Sequence, residues 1–199
     1  GVSNSRINDF NTFWNFGRQG QRIFNDQDLY LNGDADFKAA GVGINRNDSF
    51  HFLAVSTFVV PETGNYQFQM TQKDDRAAAY FDSNKNNAIE SSAENLHGTN
   101  ANRNWDSAVL SLTAGDKHLF GTGMMEGGGN SRLYLRMKTP TLTSWTTVDP
   151  TSPAQDGFWI LDPNAPWGDV INPMSIWDKG DFGYQMNAIT TKPTFTHTT

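Results

Sequence analysis

Cysteine is absent from the 199-residue chain. That single absence removes disulfide frameworks, thiolate zinc sites, iron–sulfur clusters and cysteine nucleophiles. Basic runs are missing too: 15 Lys and Arg face 21 Asp and Glu, for a formal charge of −6. Nucleic acid and anionic lipid need a basic footprint to neutralise phosphate, so neither is an expected partner. No apolar stretch approaches the roughly 18 residues of a membrane-spanning helix, and membrane insertion is not expected. The opening GVSNSRINDF has neither the basic nor the apolar segment of a secretion signal. The helix formers Ala, Leu, Glu and Lys do not dominate.

What is abundant points to β structure: 13% aromatics, 18 glycines and many Asn, Thr and Ser. Six segments read as strands, from Phe50 to Val60, Asn65 to Gln72, Ala77 to Asp82, Ala108 to Gly115, Lys117 to Met125 and Ser131 to Thr139. Turn chemistries separate them: Pro-Glu-Thr-Gly at 61 to 64, Thr-Ala-Gly-Asp at 113 to 116 and Glu-Gly-Gly-Gly-Asn at 126 to 130. The expected fold is all-β, a two-sheet antiparallel β-sandwich. Before residue 45, irregular structure and an edge strand are expected. After Pro140 the composition shifts to Pro and Trp with little periodicity. The chain therefore reads as one domain over 1 to 199. Its sandwich core covers about 20 to 140, an aromatic extension (141 to 190) packs on the core, and 191 to 199 is a linker toward a neighbouring domain.

Asp74 and Asp75, in the run QKDDRAAAYFD, are the sharpest chemical feature. In a trans-linked strand their side chains would point to opposite faces. A cis peptide would bring both to one side, where one hard cation could hold both. Ca2+ suits such donors, because it takes 6 to 8 oxygens from carboxylates, amides, backbone carbonyls and water. The plainer reading is a solvated acidic turn balanced by Arg76. Glu126-Gly127-Gly128-Gly129-Asn130 offers close-approaching carbonyls and the Asn130 amide oxygen, and in a sandwich the two loops can share one end. Its plainer reading is a flexible hairpin loop.

The run VVPETGNYQFQMTQKDDRAAAYFD, followed by AVLSLTAGDKHLFGTGMMEGGGNSRLYLRMKTP, resembles the protective-antigen-type module known as the PA-fourteen domain. The likeness spans Phe50 to Pro140 and rests on an ordered pattern. A Pro-x-Thr-Gly-x-Tyr-x-Phe strand comes first, then Asp-Asp, a Leu-Thr-Ala-Gly strand, and a Glu and glycine run before the last strand. The resemblance implies a β-sandwich. In the sugar-binding branch, found in fungal flocculins and bacterial adhesins, a cis-linked Asp pair holds Ca2+, and the ion binds two vicinal sugar hydroxyls. On this sequence Asp74 and Asp75 match the pair and Asn130 the side-chain ligand, with carbonyls such as those of Gly128 and Arg132 as further candidates. Lys73, Arg76, Ser131 and Arg132 are candidate sugar contacts. Many members carry Ser-Asp-Asp-Gly where this chain has Lys-Asp-Asp-Arg. The lack of cysteine favours the bacterial branch.

The leading expectation is a calcium-dependent lectin module of an extracellular adhesin, with cell-surface glycans or monosaccharides bearing vicinal diols as partners. The alternative is a structural or protein-interaction sandwich without sugar. A glycosidase reading fares worst, because adjacent carboxylates sharing one ion do not flank a sugar as acid and base. Asp82 to Ile89 spaces its oxygens like half an EF-hand loop but lacks the central glycine, and Glu94 falls one place late. Asp26, Asp28, Asp34 and Asp36 form an acidic patch without ligand spacing. Trp145, Trp159, Trp167, Trp177 and Tyr184 read mainly as packing residues. So do His51, His97, His118 and His197, none of which lies in a catalytic motif. Asn47-Asp48-Ser49 is a glycosylation sequon of meaning only in a eukaryotic secretory host.

Overall fold

The computed structural model describes residues 20–23, 28–40, 47–89, 94–97, 104–160 and 175–178. Its strands are β1 (Gly20–Ile23), β2 (Tyr30–Asn32), β3 (Phe50–Val59), β4 (Gly64–Asp74), β5 (Arg76–Phe81) and β6 (Trp105–Asp106). They continue with β7 (Leu110–Leu112), β8 (Lys117–Glu126), β9 (Arg132–Lys138), β10 (Thr146–Thr147), β11 (Trp159–Ile160) and β12 (Ser175–Asp178). A short helix, α1 (Asp34–Ala40), follows β2. One sheet runs β1-β12-β3-β8-β5, with β11 also on β3; the other runs β10-β9-β4-β6, with β2 on β9 and β7 on β4. The expected antiparallel two-sheet sandwich is what forms. No helix among the described residues is long and apolar enough to cross a membrane.

Alternation drives the layers together. Phe50, Phe52 and Phe58 of β3, Phe81 of β5 and Phe120 and Met124 of β8 face Tyr66, Phe68 and Met70 of β4 and Leu133, Leu135 and Met137 of β9 in one buried cluster. Phe68 joins the layers, with ring centroids 5.3, 6.0 and 6.1 Å from those of Phe120, Phe58 and Phe81. Each such side chain contributes about 1.5 to 3 kcal/mol over its exposed state.

Departures from the expected strands have local causes. The segment expected over Ala108 to Gly115 is a strand only at Leu110–Leu112. Before it, the Ser107 amide and hydroxyl bond Phe68 and Ala108; after it, the Asp116 amide bonds the Thr113 carbonyl and Gly115 takes φ +83°. β8 does not alternate. It is buried at every position from His118 to Glu126, because it pairs with β3 and β5 on its two edges and is enclosed on both faces. Where irregular structure was expected, α1 forms around one apolar anchor, Phe37, whose ring lies 5.5 and 5.4 Å from Phe50 and Phe52. One anchor in seven residues leaves no periodicity to read.

Past Pro140, β10 pairs with β9, and β11 and β12 pair with β3. Three crossings between the sheets share one end of the sandwich. β4 passes to β5 through Asp75 alone, β8 passes to β9 through residues 127–131, and β2 passes to β3 by way of α1. The pairings Asp74 with Arg132, Asn32 with Arg132, Arg76 with Met125 and Phe50 with Glu126 fix these crossings side by side.

Candidate functional site

The glycine loop between β8 and β9 is held by three carboxylates from three elements. The amide of Gly127 donates to Asp75 Oδ2 at 2.8 Å, and that of Gly129 to Asp48 Oδ1 at 2.9 Å. The amide and hydroxyl of Ser131 donate to Asp34 Oδ1 at 3.3 and 2.7 Å. Every second amide of the loop is thus gripped by a different acid. Ser49 Oγ adds a bond to the Gly127 carbonyl at 3.3 Å. Gly129 takes φ +111°, which favours glycine, and a Cβ on Gly127 would stand 2.8 Å from Asp75 Oδ2, so glycine there lets that carboxylate keep its place on the amide.

The peptide joining Asp74 to Asp75 is cis, as the family resemblance implies and the plainer reading of a solvated turn does not require. Asp75 is exposed and Asp74 half-buried. Asp75 gives one oxygen to the loop, and Asp74 accepts no hydrogen bond from a described residue. Lys73 Nζ donates to the Asp75 carbonyl at 2.6 Å, and burial lowers the Lys73 pKa against the opposing pull of Asp74 and Asp75. Arg76 is half-buried and Arg132 exposed at the start of β9. Gly128 and Asn130 are exposed, and no described residue bonds the Asn130 amide. Ser131 is placed differently from the expected sugar contact: it is fully buried and tied to Asp34, so it anchors the loop.

Beneath this surface lies Glu126, 0% exposed, with no hydrogen bond of ordinary geometry to either carboxylate oxygen. Burial first, then the charges of Asp75 and Asp74 and more weakly Asp34, push its pKa from 4.5 up to about 8. The Gly128 amide favours the ionised form only slightly. Desolvating a carboxylate beside other carboxylates disfavours its charge, so Glu126 keeps its proton at neutral pH unless a cation lies close by. Asp34, Asp48 and Glu126 were not among the expected site residues. Glu126 was visible as the first residue of the glycine run, Asp34 only as part of an acidic patch and Asp48 only within the sequon; that both aspartates meet the loop follows from the fold. Among the described residues no three acidic or histidine side chains already converge as a metal cage. Any ion here needs amide, carbonyl and water oxygens as well.

The other oxygen-rich segments turn inward on themselves. Both Asp82 oxygens accept backbone amides, from Asn86 and Asn87, and the Asn84 and Asn86 side chains cap the same loop. Asp28 and Asp36 accept the amides of Tyr30 and Asn32. His97 and His118 are buried, with Nδ1 against the carbonyls of Ala79 and Asp82. Trp159 is in the core, and Trp145 lies under Lys138 on the outer face of the β9 sheet. Asp26, Trp167, Tyr184 and His197 fall outside the described residues, as do the side chains of His51 and Trp177.

No protein-family profile matches the sequence, and no curated protein is significantly similar to it. Solved structures of similar shape include an anti-sigma factor domain-containing protein from Clostridium clariflavum (18% identity, TM-score 0.47). That match covers 63% of this chain and 39% of the other, so this chain spans about two fifths of that protein's length. Another is the Epithelial Adhesin 9 A domain from Candida glabrata in complex with Galb1-4GlcNAc (12% identity, 69% and 71% coverage, TM-score 0.42). A third is the PA14 domain of the MpAFP antifreeze protein (9% identity, 68% and 84% coverage, TM-score 0.44). Likenesses this remote leave residue roles and ligands with those proteins.

Proposed function

We propose that this end of the sandwich is a calcium-dependent carbohydrate-binding site in an extracellular module that is not an enzyme. The observation that carries the reading is Glu126: a sealed carboxylate with no hydrogen bond of ordinary geometry, set among acids whose repulsion a divalent cation relieves. The donor set fits a hard ion, since the carboxylates of Asp74 and Asp75, the Asn130 amide oxygen and the Gly128 carbonyl are all oxygen ligands. When bound, Ca2+ supplies coordination positions at which a vicinal diol can replace water.

The protein's own part is positional. Asp75, Asp48 and Asp34 hold alternate amides of the loop and so fix where its carbonyls and Asn130 face. Lys73, Arg76 and Arg132 ring the acids and present donors to sugar hydroxyls. Adjacent carboxylates do not provide the separations of about 5 to 5.5 Å or 6.5 to 9.5 Å on which glycoside hydrolysis depends. A shallow site of this kind binds weakly, and repeated copies on a surface would raise its effective affinity toward cell-surface glycans.

The test is titration with CaCl2, then with a panel of monosaccharides in calcium and in EDTA, on wild type and Asp74→Asn. The expected result is calcium uptake by wild type, loss of uptake in the variant, and sugar binding only with calcium. Sugar binding that EDTA leaves unchanged, or calcium uptake without any sugar bound, would reject the reading.

A further inference from the structure

A second surface begins where the carboxylate end stops. β9 alternates strictly: Leu133, Leu135 and Met137 are buried, while Arg132, Tyr134, Arg136 and Lys138 lie on the outer face of their sheet. At about 3.4 Å per residue, neighbours in this row stand about 7 Å apart, and Arg132 about 20 Å from Lys138. Aromatic rings lie along it. Tyr30, 39% exposed, packs its ring 4.5 Å from that of Tyr134. The Arg136 guanidinium lies 5.2 Å from the Tyr134 centroid, and Lys138 Nζ lies 4.6 Å from that of Trp145. Arg136 also donates to Gln69 Oε1.

None of the three cations forms an ion pair with a described residue. Asp74 of β4 pairs opposite Arg132 and answers that end of the row, whereas Arg136 and Lys138 stand opposite Gln69 and Gln67; Asp106 of β6 lies across β4 and is bonded by Gln69 Nε2 at 2.7 Å. A cation over a ring keeps its charge while losing freedom to wander, so the row is ordered before any ligand arrives. Within a chain of net charge −6, two neighbouring cations, Arg136 and Lys138, with no acid opposite them on β4 complement a ligand with spaced negative charges. The rings favour a sugar chain over an acidic peptide, since pyranose C–H faces lie flat on aromatic surfaces.

We propose that the outer face of β9 is a track for an acidic glycan chain, bearing carboxylates or sulfates, that runs over Tyr134, Arg136 and Lys138. The sugar identity of the ligand rests on the carbohydrate reading above; its charge does not.

Titration of the full chain with hyaluronan hexasaccharide and with neutral cellohexaose tests this, in calcium and in EDTA. Each arm is run at about 0.1 M and about 1 M salt, where the screening length falls from roughly 10 Å to about 3 Å. The acidic probe should bind about tenfold more tightly at low salt, and that excess should vanish at high salt. Arg136→Gln with Lys138→Gln should abolish the excess; Lys138→Gln alone, at the half-buried far end, should reduce it about threefold, and Lys138→Arg should keep it. An acidic excess that survives EDTA upholds the track even if calcium proves irrelevant to sugar, which separates its fate from that of the calcium site. Equal affinity for the two probes, or an undiminished excess in a normally melting Lys138→Gln protein, overturns the proposal. Poly-glutamate binding as tight as hyaluronan overturns the glycan assignment.

Discussion

Gly127 and Glu126 set the limits at the site. A methyl group on residue 127 would meet Asp75 Oδ2 at 2.8 Å, so Gly127→Ala must push that carboxylate off the loop amide. A hydrogen bond to a charged group contributes about 1.5 to 3 kcal/mol, so calcium affinity should fall roughly ten- to hundredfold while the fold persists. Calorimetric titration with CaCl2 checks it. Glu126→Gln keeps the shape of the protonated acid and removes its titration. Because the folded pKa is raised, wild type loses stability as pH rises from about 4.5 through about 8. The variant should therefore match wild type near pH 5 and exceed it in metal-free buffer above pH 8, as read by urea denaturation. Equal denaturation midpoints at high pH would show that Glu126 is not strained by its neighbours.

At the scale of elements, Phe68 of β4 is the rivet between sheets, and Phe68→Ala should cost about 3 to 5 kcal/mol in chemical denaturation. The strand segments of both sheets were legible because both of their signals are local: β4 and β9 alternate apolar with polar residues, and β3, β5 and β8 are short apolar-rich runs between turn residues. The Asp74–Asp75 tip and the glycine run were legible for the same reason, since each is a short contiguous signature. What could not be read was the latch: Asp34 arrives from α1 and Asp48 from just before β3, and only sheet pairing brings them to Ser131 and Gly129. α1 escaped notice because its single anchor, Phe37, leaves no helical stripe. β8 hid its centrality, because a strand buried on both faces has no alternation to show.

For the molecule as a whole, two opposing titrations shape stability. Burial lowers the pKa of His97 and of His118, so both are held neutral in the fold. Their contribution is present above the unfolded value of 6.5 and is lost as pH falls below it, while the Glu126 contribution fades as pH rises toward 8. Metal-free protein should melt highest near or just below pH 6.5, because above it only the Glu126 loss acts. Saturating calcium, at about a hundred times its dissociation constant, should add about 2.7 kcal/mol. Its effect on the melting temperature should grow from pH 6 to pH 8, because ion binding and deprotonation of Glu126 favour each other. A calcium shift independent of pH would detach Glu126 from the ion. The three loop latches link residues 52, 81 and 97 positions apart in the chain. A nascent polypeptide consequently cannot close the last of these latches until Ser131 has been made, so an occupant meets the complete cradle only after the whole of this end has left the ribosome.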